Sequence, residues 1–160
     1  MKECDVLVGC LDTLNARKEL QTFAWRFLIP YVDIGLIIKN VARGTMRISG
    51  QVYDLIPGCA CLWCAQFLTE EGLLRESGGL GPTYIQGSQG TAQVVSLNGV
   101  LASQAVTEVL QILTGFAKRP SVPTALQYDG VAGTLMPVLL HRRRNCNFCN
   151  NELGRGDPVW

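Results

Sequence analysis

The apolar positions fall into short unbroken runs at the start of the chain, one long helical stripe past its middle, and alternation near its end. Asp5-Val6-Leu7-Val8-Gly9-Cys10 is a brief apolar run, the pattern of a strand covered on both faces in a parallel sheet. Asp12 or Thr13 then offers an oxygen to cap a helix in which Leu20, Phe23, Ala24, Phe27 and Leu28 recur at three- and four-residue spacing until Pro30 stops it. Residues 31–38 predict a second buried strand, 40–45 a hairpin turn around Arg43-Gly44, and 46–56 an antiparallel partner through Ile48, Val52 and Leu55. From Leu74 to Gly90 the chain is rich in Gly, Ser and Pro without periodicity, which predicts an exposed crossing segment. Residues 96–113 carry the clearest stripe, Leu101, Ala105, Val106, Val109, Leu110 and Leu113, with Gly115 where a C-cap glycine belongs. Residues 124–129 and 134–141 predict a terminal hairpin, and a polar tail follows that is expected to fray.

Composition narrows the class. A chain of 160 residues with 48% hydrophobic and 17% charged residues is long enough to bury a core as one globular domain. A net charge of +1 gives no electrostatic case for nucleic acid as the main partner. No apolar stretch approaches the roughly 18 residues of a membrane span, and the start, Met1-Lys2-Glu3-Cys4-Asp5, is not a secretion signal. Seven cysteines, an odd number, then suit a reducing, cytoplasmic setting.

Four of the cysteines are patterned. Cys61-Leu62-Trp63-Cys64 and Cys146-Asn147-Phe148-Cys149 are two C-x-x-C turns, the first after Ile56-Pro57-Gly58 and the second after Arg142-Arg143-Arg144. Two such turns supply the four thiolates that a tetrahedral structural zinc prefers, making Cys61, Cys64, Cys146 and Cys149 the candidate metal ligands. The long interval between the pairs excludes a self-contained finger; the metal would staple distant parts of a larger unit. Asp12 is the candidate catalytic carboxylate, because it follows a predicted parallel strand, where open α/β sheets bind ligands and where a carboxylate can hold Mg²⁺ against phosphates. Arg17, five residues on, is a candidate for offsetting phosphate charge. The competing reading makes Asp12 a helix cap and Arg17 a solvated side chain. His141 is the one histidine, so no His-centred triad is available, and the arginine run reads as a solvated face beside the second knuckle.

Taken in order, these pieces resemble the carboxyl-terminal portion of the ThiF/MoeB/HesA family, adenylating folds related to ubiquitin-activating enzymes. The strand ending at Asp12 and followed by Arg17 is similar to a family strand. So is Ser49-Gly50-Gln51-Val52 ahead of the first knuckle, as is the helix from Gly99 to Gly115 with Ala105-Val106-Thr107-Glu108, and the second knuckle matches as well. The resemblance implies an α/β, Rossmann-like mixed sheet with a structural Cys4 zinc site, residues 1–150 forming the adenylation-type portion and 151–160 a tail. It implies an ATP- and Mg²⁺-dependent adenylyltransferase that activates the C-terminus of a ubiquitin-like or sulfur-carrier protein, usually as a homodimer. Asp12 would be the Mg–ATP carboxylate, Arg17 a nucleotide-site residue, and residues 74–90 the loop crossing over the adenylate. The sequence departs from the family in two places. It opens directly into the Asp5–Cys10 run with no glycine-rich phosphate loop before it, and it has no cysteine between Leu74 and Val100, where Ser88 and Thr91 are the nearest polar candidates. The alternative expectation is a non-catalytic, zinc-stapled dimerisation or protein-binding module of the same fold.

Overall fold

The structure is a computed structural model and describes residues 3–41, 45–79, 95–117 and 124–157. Its elements are β1 (Leu7–Gly9), α1 (Leu14–Arg26), β2 (Tyr31–Val41), β3 (Thr45–Leu55), α2 (Glu70–Ser77), α3 (Val95–Thr114), β4 (Thr124–Asp129), β5 (Thr134–Leu139) and α4 (Asn147–Asn151). The strands form one five-stranded sheet in chain order. β1 and β2 are parallel, joined by α1 as a crossover, and β2 through β5 form an antiparallel meander. This is the mixed α/β sheet that the sequence predicts.

Helices and knuckles cover the two faces with separate cores. On one face Leu7, Leu14, Trp25, Tyr31, Leu55, Leu62 and Leu68 bury together, uniting α1, the first knuckle and the sheet. On the other, Leu101 and Ala105 of α3 pack on Val32 and Val52 of β2 and β3. Seating α3 this close requires a glycine below it: a Cβ on Gly50 would lie 2.4 Å from Leu101 Cδ1 and 3.1 Å from the Gly35 carbonyl oxygen. We expect Gly50→Ala to cost about 1–3 kcal/mol through overpacking, read as a lower urea midpoint with an unchanged slope.

Three expectations change. The first strand is shorter than the apolar run and is not covered on both faces: Val8 is 48% exposed, because α3 lies over β2 and β3 and not over β1. The α3 stripe splits into two. Leu101, Ala105 and Glu108 face the sheet with Leu97, Val109 and Ile112, whereas Val106, Leu110 and Leu113 are exposed. Successive helical residues are about 100° apart, so Ala105 and Val106 cannot share one narrow face. The crossing segment does not begin at Leu74, because Thr69, which accepts from the Gly72 N–H, caps a helix that runs to Ser77. From residue 80 to 94 the chain, with Ser88 and Thr91, lies outside the described residues; of the turn expected at 40–45, residues 40, 41 and 45 belong to β2 and β3, and 42–44 lie outside the described residues. Gly115 takes φ +60° and donates to the Gln111 carbonyl, the C-cap that the sequence predicts.

The start of the tail is tied down. Gly154 and Gly156 donate to the Trp25 and Arg26 carbonyls at 3.0 Å each, and Arg26 pairs with Glu152 at 2.7 Å.

Candidate functional site

The two cysteine turns converge. Cys61 Sγ lies 3.7 Å from Cys64 Sγ and 3.7 Å from Cys146 Sγ, and Cys64 Sγ lies 3.8 Å from Cys149 Sγ. All four sulfurs fall within 4.8 Å of one another. A tetrahedron with Zn–S of about 2.3 Å has S–S edges of about 3.8 Å, so this set fits zinc in spacing and in donor chemistry. These separations also exclude disulfides, whose sulfurs sit about 2 Å apart.

Local structure aims each thiol. After β3, Gly58 at φ +92° turns the chain, and the Ala65 and Gln66 N–H groups donate to the Cys61 and Trp63 carbonyls to close the first knuckle. The buried Gln21 side chain of α1 accepts from the Leu62 N–H at 2.6 Å, anchoring that knuckle to the helix. Cys146 opens α4 and Cys149 lies in its first turn. The arginine run is exposed beside the second knuckle, as the sequence suggests, and two of its side chains also bond the knuckles. Arg142 donates to the Gly58 carbonyl at 3.0 Å and to Asn150 Oδ1 at 2.8 Å, Arg143 donates to the Trp63 carbonyl at 2.6 Å, and the Arg143 N–H meets Cys64 Sγ at 3.4 Å. The Cys149 hydrogen bond and burial push the Cys61 thiol up. Burial also acts to raise Cys64, but backbone N–H groups of Cys61 and Arg143 outweigh it and bring it below its ordinary value. Four thiolates this close need a central cation. His141 is exposed and does not belong to the cluster.

The other candidate site is the end of β1. Thr13, not Asp12, caps α1, accepting from the Ala16 N–H. Asp12 itself is exposed, at the carboxyl end of the parallel strand. Arg17 is not a solvated residue: it is 3% exposed. Its guanidinium pairs with Asp33, donates to the Leu11 carbonyl at 2.5 Å and to the Ile34 carbonyl at 3.0 Å, and lies 5.3 Å from the Phe67 ring centroid. Asp33 is fully buried and also accepts from the Tyr31 hydroxyl at 2.5 Å. Burial pushes its carboxyl up to about 6, against the Arg17 charge and the Tyr31 hydroxyl, which hold it down. Burial, then Asp33, push the Tyr31 hydroxyl well up.

The Asp33 shift gives stability a sign in pH. An unfolded aspartate ionises near pH 4, so between about pH 4 and 6 the folded chain holds a proton at Asp33 that the unfolded chain has lost. That contribution, roughly 3 kcal/mol at most, is complete below about pH 4 and disappears as pH rises through about 6. The stability difference between the wild type and Asp33→Asn, from urea unfolding across this window, is expected to narrow as pH rises.

Glu76 closes the first turn of α1, which has no acidic residue of its own. Its carboxylate accepts from the Leu14 N–H at 2.7 Å, the Asn15 N–H at 2.8 Å and the Asn15 side-chain amide at 2.6 Å. Glu76→Ala should cost about 1–2 kcal/mol and speed hydrogen exchange at Leu14 and Asn15.

Sequence reasoning missed Gln21, Asp33 and Glu76. Asp33 carried a signal, a lone acid inside the apolar run Tyr31-Val32-Asp33-Ile34, which demands a buried cation. Gln21 carried a weaker one beside the apolar positions of α1. Glu76 carried none, since its partners lie 61 and 62 positions away.

A mixed sheet between two helical layers, an exposed aspartate ending a parallel strand, and two converging cysteine knuckles together define a Rossmann-like α/β protein with a four-thiol cluster that could hold a metal ion. The ThiF family model matches residues 1–151, and the chain belongs to that family. No curated protein matches the sequence. Among solved structures, the chain is similar to E. coli MccB with a succinimide, at 17% identity and a TM-score of 0.64 over 91% of this chain and 39% of that one. It is similar also to E. coli MccB with MccA-N7isoASN, at 15% identity and a TM-score of 0.66 over 91% and 40%. A third is the microcin C7 biosynthetic enzyme MccB in complex with N-formylated MccA, at 16% identity and a TM-score of 0.65 over 91% and 41%. The likeness is one of fold, and the chain spans about two fifths of the length of these structures. No helix among the described residues is long and apolar enough to cross a membrane.

Proposed function

We propose that this chain is the carboxyl-terminal portion of an ATP-dependent adenylyltransferase that activates the C-terminal carboxylate of a ubiquitin-like or sulfur-carrier protein. The observation that carries this reading is the exposed Asp12 carboxylate at the carboxyl end of a parallel strand, in a chain of the ThiF family. That E. coli MccB is seen with ATP in one structure and with MccA in another supports a nucleotide and a second binding partner for this fold.

In this reading the C-terminal carboxylate of the carrier protein attacks the α-phosphorus of ATP, forming an acyl-adenylate as the bond to pyrophosphate breaks, and Asp12 would hold the Mg²⁺ on the phosphates. Arg17 belongs to the nucleotide site by shaping the turn that presents Asp12. Zinc on Cys61, Cys64, Cys146 and Cys149 is scaffold: it joins the end of β3 to the segment after β5 and performs no chemistry. The free thiols suit a reducing cytoplasm. A homodimer is part of the proposal, supported by the exposed apolar row Val106, Leu110 and Leu113 on α3. Leu110→Asp is expected to shift sedimentation equilibrium toward monomer and to remove the concentration dependence of the unfolding midpoint.

The nucleotide reading is tested with Mn²⁺ in place of Mg²⁺. Water-proton relaxation should be enhanced above that of free Mn²⁺–ATP when wild type is present and should not be enhanced with Asp12→Asn. Equal enhancement in the two proteins would count against Asp12.

A further inference from the structure

We propose that Asp33 is a positioning residue for Asp12, acting through Arg17 on the carbonyl of Leu11; the proposal rests on the reading of Asp12 as the working carboxylate. β1 ends at Gly9, so the residues from Cys10 to Thr13 leave the sheet before α1 begins. Ladder hydrogen bonds do not fix that exit. The Arg17 guanidinium supplies a fixed point, reaching back from the second turn of α1 to the Leu11 carbonyl, one residue before Asp12, and to the Ile34 carbonyl of β2. One planar fork thereby joins the exit of β1 to the neighbouring strand.

The fork needs a charge partner and room. Asp33 provides the charge from the register position opposite Gly9, and its second oxygen is oriented by the Tyr31 hydroxyl. Gly35 provides the room, since a Cβ there would come within 3.3 Å of Arg17 Nη2 and 2.8 Å of Gln51 Nε2. Phe67, just past the first knuckle, covers the guanidinium. Asp33, Gly35 and the Ile34 carbonyl come from β2, the Leu11 carbonyl from the exit of β1 and Phe67 from beyond the first knuckle, and together they leave the fork a single orientation. A carboxylate that must meet a metal gains from a turn already held in place. Lysine could keep the charge near Asp33, but a single ammonium cannot span the carboxylate and both carbonyls.

One labelled pair isolates the turn. Asp12 is the only aspartate that follows a leucine. Full-length chain carrying carbonyl-¹³C leucine and ¹⁵N aspartate therefore gives a single Leu11–Asp12 correlation. In wild type it should be one sharp peak. Arg17→Lys and Asp33→Asn should each move it and split or broaden it, whereas Val109→Ala, on the far side of the sheet, should weaken the fold and leave the peak unmoved. A merely structural role would make all three variants behave alike. An unmoved single peak in folded Arg17→Lys overturns the proposal, even where Asp33→Asn does not fold. Mn²⁺ is added to each sample in parallel: a peak displaced by Arg17→Lys but not broadened by Mn²⁺ in wild type keeps the positioning role and removes the metal role of Asp12.

Discussion

Cys64→Ser, or removal of the metal with a strong chelator, is expected to lower stability by several kcal/mol, on the order of 5. For a chain of this size that is a fall of roughly 10–20 °C in the unfolding midpoint. The reason is the architecture of the knuckles. Cys61, Ala60 and Leu62 are buried beside Trp25 and Leu68, and Cys146 and Cys149 close the same core from a segment far along the chain. Without a cation, nothing holds the four sulfurs together, and the layer loses the point that joins β3 to α4. Gln21, Arg142 and Arg143 bond the turns, so loosening the sulfurs also strains those hydrogen bonds and frees the buried Leu62 N–H and Gln21 amide. Elemental analysis should give about one zinc per chain. Metal-free protein with an unchanged midpoint would refute the scaffold role.

Arg17→Met is expected to cost roughly 3–5 kcal/mol, the cost of leaving one member of a buried pair without its partner. Asp33 is fully buried and would keep only the Tyr31 hydroxyl among its hydrogen-bond partners in this structure. The Leu11 and Ile34 carbonyls would lose their donor as well. Asp33→Leu should be similarly damaging, because it leaves a guanidinium in the core. The double variant should be less destabilised than the sum of the two, since removing both charges ends the mismatch. Urea unfolding of the four proteins measures that coupling. Strict additivity would mean that the pair contributes nothing as a pair.

Much of this molecule is legible in its sequence, wherever a local pattern carries the information. The Cys61–Cys64 and Cys146–Cys149 spacing announces the thiol cluster, and Gly115 marks the end of α3. Alternation and turn residues place both ends of β3, β4 and β5 to within about two residues, whereas β2 runs on to Val41, past the expected end at residue 38. Its place after β1 alone singles out Asp12 as the catalytic candidate, and the structure leaves it exposed there. What the sequence hides is set by distant partners. Glu76 reads as an ordinary polar residue in a loop-like stretch until α2 brings it to the start of α1. Val8 reads as buried because its run is apolar, but whether a strand face is covered depends on where a helix is seated, and α3 is seated one strand further over. Arg17 reads as a ligand-facing cation, because spacing alone does not tell whether a long side chain turns outward or back beneath its own helix.

The central claim, that the Asp12 end of β1 serves adenylate formation, is tested most directly by exchange of labelled pyrophosphate into ATP. The assay uses this chain completed by a glycine-rich nucleotide half, with a ubiquitin-like or sulfur-carrier protein present. The account predicts exchange that falls at least about a hundredfold in Asp12→Asn, with an unchanged unfolding midpoint because Asp12 is exposed. Exchange by Asp12→Asn at the wild-type rate would contradict it.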